Sequence, residues 1–358
     1  MQRQRVHIAI AAGGTAGHVV PALAVAQALR AEGAEVSFIG GQRAEAELVP
    51  AAGFVLHPIV VRGLDRGNPW RAAGAAALAA RAAVGARGLL GRLQVDAVLG
   101  GGGYVAGPVG LAAVTRRLPL VLTEADSHLG LTNRLLARAA HRVCLAFPIP
   151  GCEPPRFLVT GRPVPSPATD RAGAREELGL AEQDRLVMVF GGSLGARSIN
   201  ASAAEGLPGG PFRVLHLAGA RDYPQLAGRD LGPGYDLREY MDSADFSRAL
   251  LASDLVVARA GGSIFEVAAH GRPAILVPYP HATGDHQTLN ARWMAEAGAA
   301  TVIADGDLTP ARLVSEVNGL LNDQRRLESM ARASAGLAAP DAAQVVARTV
   351  MEAIGEAL

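Results

Sequence analysis

The chain has 358 residues, 49% of them hydrophobic, and its 34 basic residues, all arginine, nearly balance 33 acidic ones for a formal net charge of +1. That length accommodates two domains with separate cores, and the balance supplies no overall basic field, so no nucleic acid is expected as a partner. Cys144 and Cys152 lack CxxC spacing and read as free thiols in a reducing compartment; with no signal-peptide pattern and no apolar run near the roughly 20 residues of a membrane span, the expectation is a soluble protein, or at most one that lies on a membrane.

Val6 to Ala12 is apolar throughout and predicts a central parallel strand buried on both faces. It ends in Gly13-Gly14-Thr15-Ala16-Gly17-His18, after which Pro21 to Arg30 has helical spacing. Further strands are expected at 36–40, 54–61 and 96–99, the last followed by Gly100-Gly101-Gly102-Gly103-Tyr104, and then at 120–123 and 142–146. Residues 66–95 carry Arg66, Arg71, Arg81, Arg87 and Arg92 with no acid among them, beside Trp70, Leu78, Leu89, Leu90 and Leu93. Such a stretch suits an anionic membrane surface or, equally, a solvated alanine-rich helix.

From Phe147 to Pro167 the chain is dense in Pro and Gly and reads as a linker. Alternation then restarts, with strands expected at 186–190, 213–217, 236–239, 255–258, 274–277 and 300–303. Strand–helix units in series imply parallel sheets with right-handed crossovers. The fold class is therefore α/β, two doubly wound Rossmann-like domains facing a cleft, with ligands at the carboxyl ends of the strands. Their expected limits are 1–162 and 163–340, and a last helix at about 341–358 is free to pack back on the first domain.

The densest chemistry lies between Asp254 and Asn290. A strand there turns through Arg259-Ala260-Gly261-Gly262-Ser263 into a helix carrying Glu266 in its first turns. A glycine turn opening a helix presents N–H groups and a positive dipole end to phosphate. A carboxylate one turn on can accept two hydrogen bonds from a ribose diol, and nearby amides such as Gln287 and Asn290 can read sugar hydroxyls. Together these describe a nucleotide-sugar pocket.

Gly13 to His18, Gly102-Gly103-Tyr104-Val105-Ala106-Gly107-Pro108, Gly191-Gly192-Ser193-Leu194-Gly195-Ala196 and Arg259 to Glu266 resemble, in order and spacing, the motifs of the MurG family. These peptidoglycan enzymes transfer N-acetylglucosamine from UDP-N-acetylglucosamine to undecaprenyl-pyrophosphoryl-N-acetylmuramoyl-pentapeptide. The resemblance spans essentially the whole chain. It implies the GT-B glycosyltransferase fold, inversion at the anomeric carbon, no cofactor and no dedicated metal site; no Asp-x-Asp cluster occurs in this chain. It also implies a peripheral location on the cytoplasmic face of the bacterial cell membrane, with an anionic membrane surface as partner.

Carried over by position, the resemblance implies that Ser193 meets the diphosphate and that Tyr240 packs on uracil while the Met241 backbone bonds its edge. Gly262, Ser263, Ile264 and Phe265 offer backbone contacts, Glu266 takes the ribose hydroxyls, and Gln287 with Asn290 reads the sugar. Thr15, Ala16, Gly17 and His18 line the acceptor side with Glu124 and Asp126. His18 is the candidate general base, kept neutral by a helix N-terminus; Glu124 competes for that role, and His18 could instead bond phosphate. Several positions depart from the family. Ala16 interrupts a Gly-Gly-Thr-Gly-Gly-His loop, Leu194 replaces a Gln, and Thr123-Glu124-Ala125-Asp126 replaces His-Glu-Gln-Asn. Arg162-Pro163-Val164-Pro165 replaces Asn-Pro-Val-Arg, with Arg162 the candidate replacement for a diphosphate arginine. The turn from Arg259 to Glu266 is one residue shorter.

Two rival readings share the donor pocket: a UDP-N-acetylglucosamine 2-epimerase and a non-catalytic sugar-nucleotide-binding protein. An NAD-dependent dehydrogenase would want an acid at the end of the second strand, which here ends Phe38-Ile39-Gly40-Gly41.

Overall fold

The computed structural model describes residues 5–61, 69–192 and 194–357. The chain forms two compact units: residues 1–165 with 339–358, and residues 166–338.

The first unit is built on β1 (His7–Ala11), α1 (Ala16–Ala31), β2 (Glu35–Gly40), α2 (Ala44–Ala51), β3 (Val55–Pro58), α3 (Pro69–Arg92), β4 (Ala97–Gly100), α4 (Gly103–Arg116), β5 (Leu120–Glu124), α5 (Leu131–Leu136), β6 (Arg142–Leu145) and β7 (Phe157–Val159). Its seven strands pair in the order β3-β2-β1-β4-β5-β6-β7, all in parallel. Every residue of β1 is buried, as a strand covered on both faces requires. One face packs Ile8 and Ile10 against Val19, Val25 and Leu29 of α1. The other packs Ala9 and Ala11 with Leu90 of α3 and Val109 of α4. The linker expected from Phe147 to Pro167 is corrected in part: three of its residues form β7, an edge strand that among the described residues pairs with β6 alone. An edge strand tolerates the flanking prolines because one side of its backbone needs no ladder donor.

The second unit runs α6 (Arg171–Glu177), β8 (Leu186–Phe190), α7 (Arg197–Gly206), β9 (Arg213–Leu217), α8 (Tyr223–Leu226), β10 (Tyr235–Arg238), α9 (Ser243–Ala252), β11 (Leu255–Ala258), α10 (Ile264–Ala269), β12 (Ala274–Leu276), α11 (His286–Glu296), β13 (Ala300–Val302), α12 (Pro310–Leu321) and α13 (Gln324–Gly336). Six parallel strands take the order β10-β9-β8-β11-β12-β13. The final helix, α14 (Ala342–Ala357), returns to the first unit, where Val346, Ala347, Val350 and Ala353 join the core of α1 and β1.

Strand order reverses between β1 and β4 in one sheet and between β8 and β11 in the other. Doubly wound sheets bind ligands at such switch points, because the loops on the two sides diverge and leave a crevice. The four glycine-rich motifs follow these four strands. Among the described residues no helix is long and apolar enough to cross a membrane.

Candidate active site

In the first unit, Gly14 has φ +110°, Thr15 is the N-cap of α1, and the helix begins at Ala16. The left-handed conformation thus falls on a glycine. Ala16 stands in the first turn of the helix, where a Cβ carries no backbone strain. His18 follows two residues later, its Nδ1 at 3.3 Å from the Thr15 hydroxyl. Its ring lies on Gly102, the N-cap of α4 at φ +99°, where a Cβ would come within 2.6 Å of His18 Cδ2. The two loops of the switch point therefore meet at this imidazole. Its pKa is lowered from 6.5, foremost by burial and then by the Arg162 guanidinium, while Asp126 and Glu45 act in the opposite direction. The expectation from the helix end gave the direction; burial and Arg162 lead among its causes.

Glu124, the last residue of β5, is buried. Its carboxylate accepts from Gly130 N–H at 2.8 Å, Asn133 Nδ2 at 2.9 Å and Asp126 N–H at 3.2 Å, so it holds together the loop that opens α5. Burial pushes its pKa up, more than those hydrogen bonds lower it. Arg162 is also buried, and it donates to the carbonyls of Gly17 and, at 3.5 Å, Ala125. Gly17, Thr123, Glu124, Ala125, Thr160 and Arg162 line one small cavity at the carboxyl ends of these strands. Asp126 is half-buried beside them, and Thr15 and Gly17 are exposed.

Two groups that the sequence reading passed over complete this half. Glu45 of α2 is fully buried and accepts hydrogen bonds from Gly14, Gly41 and Tyr104. Tyr104, quoted above only as part of a motif, donates that phenol hydrogen bond at 3.1 Å. A glutamate inside Ala44-Glu45-Ala46-Glu47 reads as a solvated helix face, and only tertiary packing separates it from Glu47.

In the second unit, Ser193 lies outside the described residues. The helix after its glycine turn begins at Arg197, because Gly195 at φ +81° closes a turn onto Gly192 O first. A Cβ at Gly195 would collide with the Ala218 carbonyl, so the turn admits only glycine. Across the switch point, Arg259 donates to Ser198 Oγ at 3.0 Å, to Asp305 Oδ1 at 2.5 Å and to the carbonyls of Val277 and Pro278. That buried guanidinium ties the ends of β11 and β12 to the start of α7. Gly261 to Ser263 then lead into α10, with Ile264 N–H bonded to Gly261 O and Phe265 N–H to Gly262 O. Those two amides are already engaged in the turn; Phe265 is buried with its ring 5.2 Å from that of Trp293.

Glu266 lies half-buried in the first turn of α10. Gln287 Oε1 accepts from Tyr279 N–H at 2.9 Å, which sets its amide nitrogen beside Gly261. Asn290 is buried with Nδ2 on Ala260 O at 2.9 Å, while its Oδ1 has no partner among the described residues. Glu266, Gln287, Asn290 and the Gly261–Gly262 turn are thus gathered at the end of β11. Tyr240, just past β10, is 63% exposed, whereas Met241 beside it is buried. Among the described residues no group of three or more His, Cys, Asp or Glu is placed to hold a metal ion.

Two doubly wound sheets, each with glycine turns at its switch point and one carrying a carboxylate–amide cluster, define a two-domain sugar-nucleotide protein of the GT-B class. Residues 8–145 match the glycosyltransferase family 28 N-terminal domain and residues 186–346 its C-terminal domain. The chain belongs to glycosyltransferase family 28 and, within it, to the MurG family. A Moorella thermoacetica relative, named UDP-N-acetylglucosamine–N-acetylmuramyl-(pentapeptide) pyrophosphoryl-undecaprenol N-acetylglucosamine transferase, is 39% identical over 98% of this chain and 99% of its own. The crystal structure of Acinetobacter baumannii MurG superposes with a TM-score of 0.75 at 30% identity, covering 97% of this chain and 99% of that one. A UDP-N-acetylglucosamine 2-epimerase shares the fold alone, with a TM-score of 0.67 at 13% identity over 99% of this chain and 98% of that one.

Proposed function

We propose that this protein transfers N-acetylglucosamine from UDP-N-acetylglucosamine to the 4-hydroxyl of the lipid-linked N-acetylmuramoyl-pentapeptide, with inversion at C1. The observation that carries this reading is the donor-type cluster gathered at the end of β11 in the second unit; the first unit, taken by itself, carries an imidazole at its β1–β4 switch point. The epimerase reading has only the shared fold in its favour, because at 13% identity the likeness reaches no further.

Donor binding falls to the second unit. Glu266 accepts the ribose hydroxyls, Tyr240 stacks on the uracil, and Gln287 and Asn290 bond the sugar. The orphaned Oδ1 of Asn290 supports this, since a buried acceptor without a partner costs about 1–3 kcal/mol unless something donates to it. The diphosphate is assigned to Ser193 by the family resemblance and to the turn before α7, and the positive end of that helix meets the charge of departing UDP.

Acceptor activation falls to the first unit. His18 takes the proton of the 4-hydroxyl as its oxygen bonds to C1 and the bond from C1 to the phosphate oxygen breaks. In this role Nδ1–H donates to the Thr15 hydroxyl oxygen, and Nε2, without a hydrogen, is the nitrogen that receives the proton. The lowered pKa keeps the ring neutral and able to accept. Glu124 is the weaker candidate because its carboxylate already receives three protein donors. No cofactor or metal is assigned to the reaction.

Membrane association belongs to the same reading. The neighbouring helices α3, α4 and α5 contain no acidic residue and carry exposed Arg81, Arg116 and Arg134 with exposed Val84, Leu111 and Leu135. Arg66 lies outside the described residues, as do the side chains of Trp70 and Arg71. A peripheral seat on the cytoplasmic face of the cell membrane would present this flank to anionic lipid.

The test is incubation with UDP-N-acetylglucosamine, with and without the lipid-linked acceptor. UDP release only with acceptor is expected. Isomerisation without acceptor would make the protein an epimerase, and binding without either reaction a sensor. His18→Ala should lower kcat at least about a hundredfold with UDP affinity nearly unchanged. Because the His18 pKa is lowered, wild-type kcat should stay flat as pH falls toward 6.5 and decline only below it. A deader Glu124→Ala enzyme would transfer the role to that carboxylate.

A further inference from the structure

Glu45, the second residue of α2, is 0% exposed. Its Oε2 accepts from Gly14 N–H at 2.8 Å, and its Oε1 accepts from Gly41 N–H at 2.8 Å and from the Tyr104 hydroxyl at 3.1 Å. A Cβ at Gly13 would come within 2.7 Å of this side chain, and one at Gly40 or Gly41 within 2.9 Å. Three glycines from two loops thus form a socket for one carboxyl group. Burying an ionised carboxylate costs several kcal/mol unless its lone pairs are met. Burial does act to raise the Glu45 pKa, but the backbone donors and Tyr104 outweigh it and leave the group below its ordinary value, hence ionised at neutral pH.

Those contacts reach both supports of His18. Gly14 precedes Thr15, whose hydroxyl faces His18 Nδ1 and whose carbonyl accepts the His18 N–H at 3.0 Å. Tyr104 stands two residues after Gly102, on which the imidazole rests. A Cβ at Gly103 would fall on the Gly13 carbonyl, so the two loops touch at their backbones as well. We propose that Glu45 is a positioning residue for the transfer reaction: its carboxylate clamps the turn before α1, the turn before α2 and the start of α4 into one unit that fixes where His18 stands. This rests on the reading of His18 as the base.

The charged groups that bear on His18 are Arg162 beyond β7, Asp126 beyond β5 and Glu45 of α2. Arg162 lowers the imidazole pKa and the two carboxylates raise it. Removing the Glu45 charge therefore lowers it further, whatever else Glu45 does, so the role as a positioning residue is read from kcat falling while UDP affinity holds.

Glu45→Gln in the full chain keeps the side-chain volume, yet it sets an amide –NH2 against one of the backbone N–H groups. Its kcat is expected to fall about ten- to hundredfold, as a misplaced catalytic group does. Its UDP affinity, measured by calorimetry, should stay within about twofold of wild type. The acid limb of kcat should shift to lower pH, and the His18 ring should titrate lower by NMR. Tyr104→Phe removes one donor and leaves the carboxylate in place; a loss of about three- to tenfold in kcat is expected, again with UDP affinity unchanged. Unchanged kcat in Glu45→Gln, or kcat and UDP affinity falling together, overturns the role of Glu45. If Glu45→Gln does not fold, Tyr104→Phe decides, and wild-type kcat there overturns it equally. His18→Ala separates the two readings: full activity in that variant overturns the base itself, whereas an inactive His18→Ala beside an unaffected Glu45→Gln overturns only the clamp.

Discussion

The guanidinium of Arg162 donates to Gly17 O and Ala125 O, joining the first turn of α1 to the loop after β5. The family resemblance placed a diphosphate contact here, and the position in the chain is compatible with one. The side chain, however, is buried with its donors on carbonyls of its own unit. Arg162→Lys tests which description holds. An ammonium is a point charge that cannot span both carbonyls, so unfolding stability in urea should drop by about 1.5–3 kcal/mol with UDP affinity unchanged. A loss of UDP affinity at unchanged stability would make Arg162 a phosphate ligand instead. Glu266 gives the converse case. Glu266→Ala should weaken UDP by about 2–4 kcal/mol, roughly 30- to 1000-fold, without altering stability. Calorimetry with UDP alone reads this, and equal affinity in the two proteins would remove Glu266 from the pocket. Glu266 was legible because it stands at a fixed offset from a glycine turn; Glu45 was not, since two of its three donors lie 31 and 59 residues away in sequence.

Elements were easier to read than contacts. Runs such as Leu186 to Phe190 are apolar along their whole length, and only a strand covered on both faces uses such a run at five residues. Two elements escaped that pattern. The strand β7 has three residues among prolines, too few to show a period, and exists because β6 offers it a partner edge. The start of α7 falls at Arg197, past the glycine motif, because the Gly192–Gly195 turn uses the residues before it. The α3–α5 flank belongs to this scale too, because its charge is spread over three helices. Replacing Arg81, Arg116 and Arg134 by alanine should reduce binding to anionic vesicles by on the order of a hundredfold at low salt, at about 1 kcal/mol per arginine. The difference should shrink as salt screens the surface. Equal sedimentation of wild type and variant at low salt would leave the flank an ordinary solvated surface.

At the scale of the molecule, the chain leaves its first unit after Pro165 and re-enters it at Ala339. The return is not decorative, since Val346, Ala347, Val350 and Ala353 are each at most 2% exposed within the first core. Deleting residues from 342 onward strips that apolar cover from α1 and β1. At about 1.5–3 kcal/mol per buried valine, with further loss at the alanines, the deficit is comparable to the whole stability of a domain. The truncated protein should show an early thermal transition for the first unit while the second keeps its wild-type transition and its UDP affinity. A single unshifted transition would show that the helix is dispensable. From its sequence alone, this protein's class of fold, its number of units and the four glycine turns were determined, because hydrophobic period and glycine spacing are local signals that survive without coordinates. Only the tertiary structure decided that the left-handed residue is Gly14 and not Ala16, that Arg162 and Glu124 bond groups of their own unit, and that Glu45 is buried. Each of these depends on which distant loops a side chain meets, and strand order, not sequence distance, sets those meetings.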